Sequence, residues 1–132
     1  MNDLITCLEA AEAGSRTSNI ALFLEVQATV DVPEDFKRHV EQAMRSGSDS
    51  RAMGYLLLAA LTLVPEGWYL DCLTTGDADL SNSNPARRPR ALICPNLKND
   101  NGWKYGSQKG AAATPALALC IAALKAREAV DG

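Results

Sequence analysis

The residues best equipped for chemistry in this 132-residue chain are the basic groups and rings between positions 87 and 109. Arg87, Arg88, Arg90, Lys98, Lys104 and Lys109 fall there with only Asp100 among them, and Trp103 and Tyr105 flank Lys104. Cations interleaved with aromatic rings suit binding: the charge draws in anionic groups, and the rings stack or pack. The rest of the chain carries the opposite sign. Residues 1–80 hold 13 acids and 5 bases, net −8, whereas residues 81–132 hold 3 acids and 8 bases, net +5. The acidic part repels a polyanion at longer range. Double-stranded RNA-binding domains set a dense Lys cluster at the start of their last helix, where this chain has Lys109. A protein partner is therefore favoured over nucleic acid. Ahead of both stands the plain reading of a basic hairpin that is merely solvated or that packs on the acidic helices.

Catalytic sets are harder to assemble. His39 is the only histidine, and Asp35 four residues earlier makes with it a helix-surface pair rather than an oriented general base. Asp77 and Asp79 have the start of a calcium-loop spacing without its glycine and distal Glu, and they read as turn residues. Gly102, Gly106 and Gly110 are spaced by four and flank an expected strand, which does not make a phosphate loop. Cys7, Cys72, Cys94 and Cys120 sit far apart in apolar runs, so they are expected as four reduced core thiols and not as a zinc site. No cofactor, metal or catalytic residue is expected, and the chain reads as non-enzymatic.

The elements that would position these groups follow from periodicity and punctuation. A short helix after Asn2-Asp3 is expected to close at Gly14. A second, over 20–30, has Thr17-Ser18-Asn19 as its cap and Ile20, Leu24 and Ala28 as its inner row, with Phe23 alongside. Pro33, Glu34 and Asp35 open a third helix that runs to Arg45, with Phe36, Val40, Ala43 and Met44 facing inward. A polar loop over 46–50 leads to a fourth helix over 51–64. Its run Tyr55-Leu-Leu-Leu-Ala-Ala-Leu is apolar nearly all round and predicts burial on more than one side.

Pro65-Glu66-Gly67 makes a turn, after which the period changes to two. Trp68, Leu70, Cys72 and Thr74 alternate with Tyr69, Asp71 and Leu73 as a first strand. Residues 75–89 are turn formers, 90–94 a second strand, and 103–105 a third strand that Gly106 stops. Residues 107–113 lead to a last helix with Thr114 as its cap and Pro115 at its first position. Leu117, Cys120, Ile121 and Leu124 form its apolar stripe, and Lys125 and Arg127 complement its C-terminal dipole. The expected fold is a single α+β domain over 1–132. It is a helix–sheet–helix three-layer sandwich with two to three antiparallel strands, N-terminal helices and a C-terminal helix. Helices are expected on both sheet faces, because Trp68/Leu70/Cys72 and Tyr69/Leu73 each offer apolar surface.

Two segments carry a likeness to a known family. Residues 59–68 (AALTLVPEGW) and 113–126 (ATPALALCIAALKA) resemble the phage ABA sandwich domain, found in small proteins of tailed phages and prophages. The resemblance covers 24 residues and omits the basic stretch at 87–109. It implies the same layering and a viral origin, and brings no activity, catalytic residue or cofactor. With a viral origin and no catalytic set, the expectation is a phage accessory protein that acts by binding a virion or host protein in the host cytoplasm. Two alternatives stand beside that reading: an inhibitor of a host defence complex in the anti-CRISPR style, using the acidic half as a nucleic-acid mimic, and a nucleic-acid binder using 87–109. A homodimer through the helical faces is a further expectation. The N-terminal segment lacks a basic lead and a long apolar run, so neither a secretion signal nor a membrane span is expected.

Overall fold

The structure, a computed structural model, describes residues 2–11, 16–74, 88–95 and 106–131. Four helices come first: α1 (Asn2–Ala10), α2 (Arg16–Thr29), α3 (Glu34–Arg45) and α4 (Asp49–Thr62). Strands β1 (Trp68–Thr74), β2 (Arg90–Pro95) and β3 (Gln108–Ala111) follow, and α5 (Pro115–Asp131) closes the chain. The three strands form one antiparallel sheet in the order β1-β2-β3. The α+β class, with a small antiparallel sheet between helical N- and C-terminal segments, is thus as the sequence predicts.

Helix α5 is the centre of the molecule. Thr114 Oγ1 accepts from Leu117 N at 3.2 Å, the cap that the Thr-Pro start implies. Every residue from Ala116 to Leu124 is buried, all round the helix. The sheet packs on one side of α5, and α4 and α1 pack elsewhere on it. Small residues make this possible. At Gly110 a Cβ would overlap the Ala118 carbonyl oxygen and lie 2.8 Å from Ala122 N, so β3 rests on the helix backbone itself. This explains a difference from the sequence reading, which places the third strand at 103–105, outside the described residues. The described third strand is Gln108–Ala111, inside the stretch expected only to lead to the last helix, and Gly110 is its close-approach residue.

The helical layer shows further shifts. Helix α2 starts at Arg16, about one turn before the expected start at 20, so the expected cap residues, Asn19 among them, lie inside it. Its buried face is Asn19, Phe23 and Val26, whereas Leu24 is 38% exposed. The Asn19 side chain displaces the expected Ile20-Leu24-Ala28 row because Thr114 Oγ1 donates to Asn19 Oδ1 at 2.9 Å, a buried bond between α2 and the start of α5. Phe23 stacks on Phe36 with ring centroids 5.8 Å apart, which ties α2 to α3. On α3, Phe36, Val40 and Ala43 face inward as expected, but Met44 is 54% exposed. Helix α4 begins at Asp49, capped by Ser48, and packs on both α3 and α5. Its outer stripe nevertheless leaves Leu58 and Leu61 in solvent, and the helix buried all round is α5.

In β1 the simple alternation fails at one point. The pairing shifts between Leu70 and Cys72, which makes Asp71 a bulge. Trp68, Leu70 and Leu73 therefore share the face toward α5 with Ala91, Ile93 and Gly110, while Cys72 and Thr74 turn to the opposite face with Tyr69. The turn before β1 has Gly67 at φ 87°, as its sequence requires. The sheet packs on α5, and α1 and α4 pack on α5 in turn, so the expectation of helices on both sheet faces is corrected: the helices described lie on the α5 side. Among the described residues, the opposite face presents exposed Tyr69, Cys72, Thr74, Arg90 and Lys109, with Leu92 and Cys94 half-buried.

Two substitutions test this packing by denaturant unfolding. Gly110→Ala is expected to lose about 3 kcal/mol, the upper end for overpacking, because the obstructing atoms are backbone. Gly54→Ala, in an exposed helix interior with nothing within 4 Å, is expected to gain about 0.5–1 kcal/mol. Equal effects at the two sites would refute the seam between β3 and α5. Thr114→Val removes both the cap and the Asn19 bond, with an expected loss of about 2 kcal/mol that Thr114→Ser largely avoids.

Candidate interaction surface

The basic residues separate once the chain is folded. Arg88 leaves the basic segment for α1: its guanidinium donates to Glu9 O at 3.2 Å and Ala11 O at 3.0 Å. These carbonyls close the C-terminal end of α1, where a cation satisfies both the acceptors and the helix dipole. Arg90 and Lys109 instead project from the open face of the sheet. Arg87, Lys98, Trp103, Lys104 and Tyr105 lie outside the described residues.

Strand register builds that face in three rows. Tyr69 pairs with Cys94, whose sulfur lies 3.3 Å from Ser107 Oγ. Cys72 pairs with Leu92, and Leu92 with Lys109. Thr74 pairs with Arg90, and Arg90 with Ala111; Thr74 Oγ1 also accepts from Arg90 N at 3.1 Å. Tyr69 is 47% exposed. The neighbouring Cys94 raises the Tyr69 phenol above its usual range, with desolvation and Asp71 adding to it. Neither Arg90 nor Lys109 has an ion-pair partner among the described residues. The bases of α3 contrast with them: Lys37, Arg38 and Arg45 pair with Glu34, Asp35 and Glu41 on the same helix.

A groove of about 460 Å³ opens beside these rows, lined by Arg90, Lys109 and Leu92 of the sheet together with Glu9 of α1 and Lys125 of α5. Lys125 therefore serves the groove, and Arg127 crosses to donate to Asp31 O at 2.8 Å; neither sits in the last turn of α5 as the dipole argument expects.

The remaining reactive groups are dispersed. His39 Nδ1 lies 3.0 Å from Gln42 Oε1, while Asp35 pairs with Arg38, so the expected Asp35–His39 pair does not form. The expectation of four core thiols is corrected at three positions: Cys7 and Cys72 are exposed and Cys94 is half-buried. Cys7 points away from Leu4, Ile5 and Leu8, and Cys72 is turned outward by the Asp71 bulge. Only Cys120 is a core thiol. Among the described residues, no three His, Cys, Asp or Glu side chains converge on a metal position. No helix described is long and apolar enough to cross a membrane.

The sequence reading missed Tyr69, Leu92, Cys94 and Lys125 as surface-forming residues. Tyr69 and Leu92 were visible as strand positions, but their common face depends on register, which neither strand's own pattern contains. No family model matches the chain, and no curated protein or solved structure matches it either.

Burial pushes the Cys120 thiol up to about 12, from an ordinary 9.0. Well below pH 9 the thiol is neutral in both folded and unfolded chains, so it has no effect there. Between pH 9 and about 12 the unfolded chain loses this proton while the folded chain keeps it, so stability falls as pH rises. The expected contribution to the slope is up to about 1.4 kcal/mol per pH unit. It should disappear in Cys120→Ala, measured by denaturant midpoints across the alkaline range. In a thiol-labelling time course Cys7 and Cys72 are expected to react first and Cys120 only on unfolding; early labelling of Cys120 would contradict the central position of α5.

Proposed function

We propose that this protein is a non-enzymatic binding module that engages a protein partner through the open face of its sheet. The observation that carries the reading is the composition of that face: exposed Tyr69 beside half-buried Leu92 and Cys94, with Arg90 and Lys109 unpaired among the described residues. Tyr and Arg are the residue types that anchor protein interfaces, where a ring fills a pocket and a guanidinium meets a carboxylate or carbonyl. The likeness of residues 59–68 and 113–126 to the phage ABA sandwich domain supports a phage accessory protein, with a virion or host component as partner.

Nucleic acid is the weaker occupant. Arg88 caps α1, which leaves two cations on the described face, and the acid-rich N-terminal part opposes a polyanion. Use of the acidic half as a nucleic-acid mimic has less support too, because the acids of α3 alternate with bases that neutralise them locally.

Affinity capture from host and virion fractions, comparing the native chain with Tyr69→Ala and with Lys37→Ala as a distant control, tests the reading. The expected result is a protein retained by the native and Lys37→Ala chains and lost with Tyr69→Ala. Loss of one exposed interface anchor is expected to cost about 2 kcal/mol, or roughly thirtyfold in affinity. Labelled duplex and single-stranded DNA and RNA at low salt are expected to show no retention. Retention that Arg90→Ala and Lys109→Ala abolish would replace the protein-partner reading with the nucleic-acid one.

A further inference from the structure

We propose that the groove at the end of the sheet binds an acidic peptide segment of the partner, with carboxylates on its cations and an apolar side chain on its floor. The inference rests on the binding-module reading and adds the chemistry of what is bound. Three cations line the groove from three separate elements: Arg90 of β2, Lys109 of β3 and Lys125 of α5. Glu9 is its single acidic lining residue among the described residues. The chain's net charge is −3, yet the described lining of this groove carries excess positive charge, and none of the three cations has an ion pair among the described residues. The floor is apolar, with Leu92 and Cys72 side by side as a cross-strand pair. A volume of about 460 Å³ holds a few side chains and lies in the range of ligand clefts.

Charge and floor together choose the occupant. An inorganic anion or a bare carboxylate would leave the apolar floor against water. A nucleic-acid backbone would bring a dense line of phosphates to three cations and one acid, next to an acid-rich chain. A peptide with one or two carboxylates beside a Leu-like side chain matches both parts, the arrangement of interfaces in which electrostatic complementarity sets specificity and apolar contact supplies affinity.

Fluorescence anisotropy tests this with a labelled peptide of alternating Leu and Glu, the same peptide with Gln for Glu, a single-stranded oligothymidylate and free octanoate. The Leu/Glu peptide is expected to bind, and the Gln version, octanoate and the oligonucleotide to bind more weakly. The double variant Arg90→Glu/Lys109→Glu should weaken the peptide by roughly tenfold, and Lys125→Gln by about threefold, as expected for exposed charge pairs. All three positions are surface sites, and circular dichroism of the variants checks that they fold. Equal affinity for the Glu and Gln peptides, unchanged affinity in the variants, or tighter binding of octanoate or the oligonucleotide would each overturn the assignment. If the peptide fails while Tyr69→Ala still abolishes partner capture, the groove assignment falls and the binding-module reading stands. If partner capture is also insensitive to Tyr69→Ala, both fall.

Discussion

The contact between β3 and α5, backbone against backbone at Gly110, is the constraint on which the molecule depends. A strand cannot lie this close to a helix unless its facing residue lacks a Cβ and the helix surface is made of small side chains. Gly110 against Ala118 and Ala122 meets both conditions. With β3 seated, β2 and β1 follow by antiparallel pairing, and α5 acquires a roof along its most apolar stretch. The buried Thr114–Asn19 bond then ties the start of the same helix to α2, so one helix links the sheet to the N-terminal bundle. Aromatic rings are few in this chain, and small-residue fit does much of the work that large side chains do in other cores.

The same contact decides what the surface offers. If Gly110 faces α5, its neighbour Lys109 must face away, and Arg90 does likewise because Ala91 faces inward. The bulge at Asp71 extends this to β1, bringing Tyr69 and Cys72 onto one surface with those cations. Arg88 and Arg127 go the other way: each is held by backbone carbonyls, at the end of α1 and just after α2, so they brace the fold. Of the bases that look alike in the sequence, some are structural and some line the groove. The difference lies in which carbonyls come within reach.

Much of the framework was legible from local pattern. The bounds of β1 and the Thr114-Pro115 start of α5 appear where the alternation and the cap place them, because strand period and cap chemistry act over a few residues. The inward row Phe36, Val40 and Ala43 follows from helical spacing in the same way. The larger failures are non-local. Asn19 looks like a cap because Asn usually caps, but a hydroxyl 95 positions away makes it a buried helical residue. Gly110 looks like part of a lead-in to the last helix because its use depends on a helix that has not yet begun. Cys7 and Cys72 look like core residues because cysteine prefers burial, yet helix face and bulge turn them outward.

For the surface the division is sharper. The sequence by itself determined that a basic, ring-bearing segment follows an acid-rich helical one, that the chain mixes helices with a small antiparallel sheet, and that an Ala/Leu helix closes it. Only the tertiary structure decided that Arg88 is a helix cap, that Arg90 and Lys109 share a face with Tyr69, and that Lys125 joins them across a groove. Composition and periodicity are properties of neighbouring residues. Sharing a face depends on strand register, a one-residue bulge and the side of the sheet that a helix covers, and these are set only when segments far apart in the chain come to rest on each other.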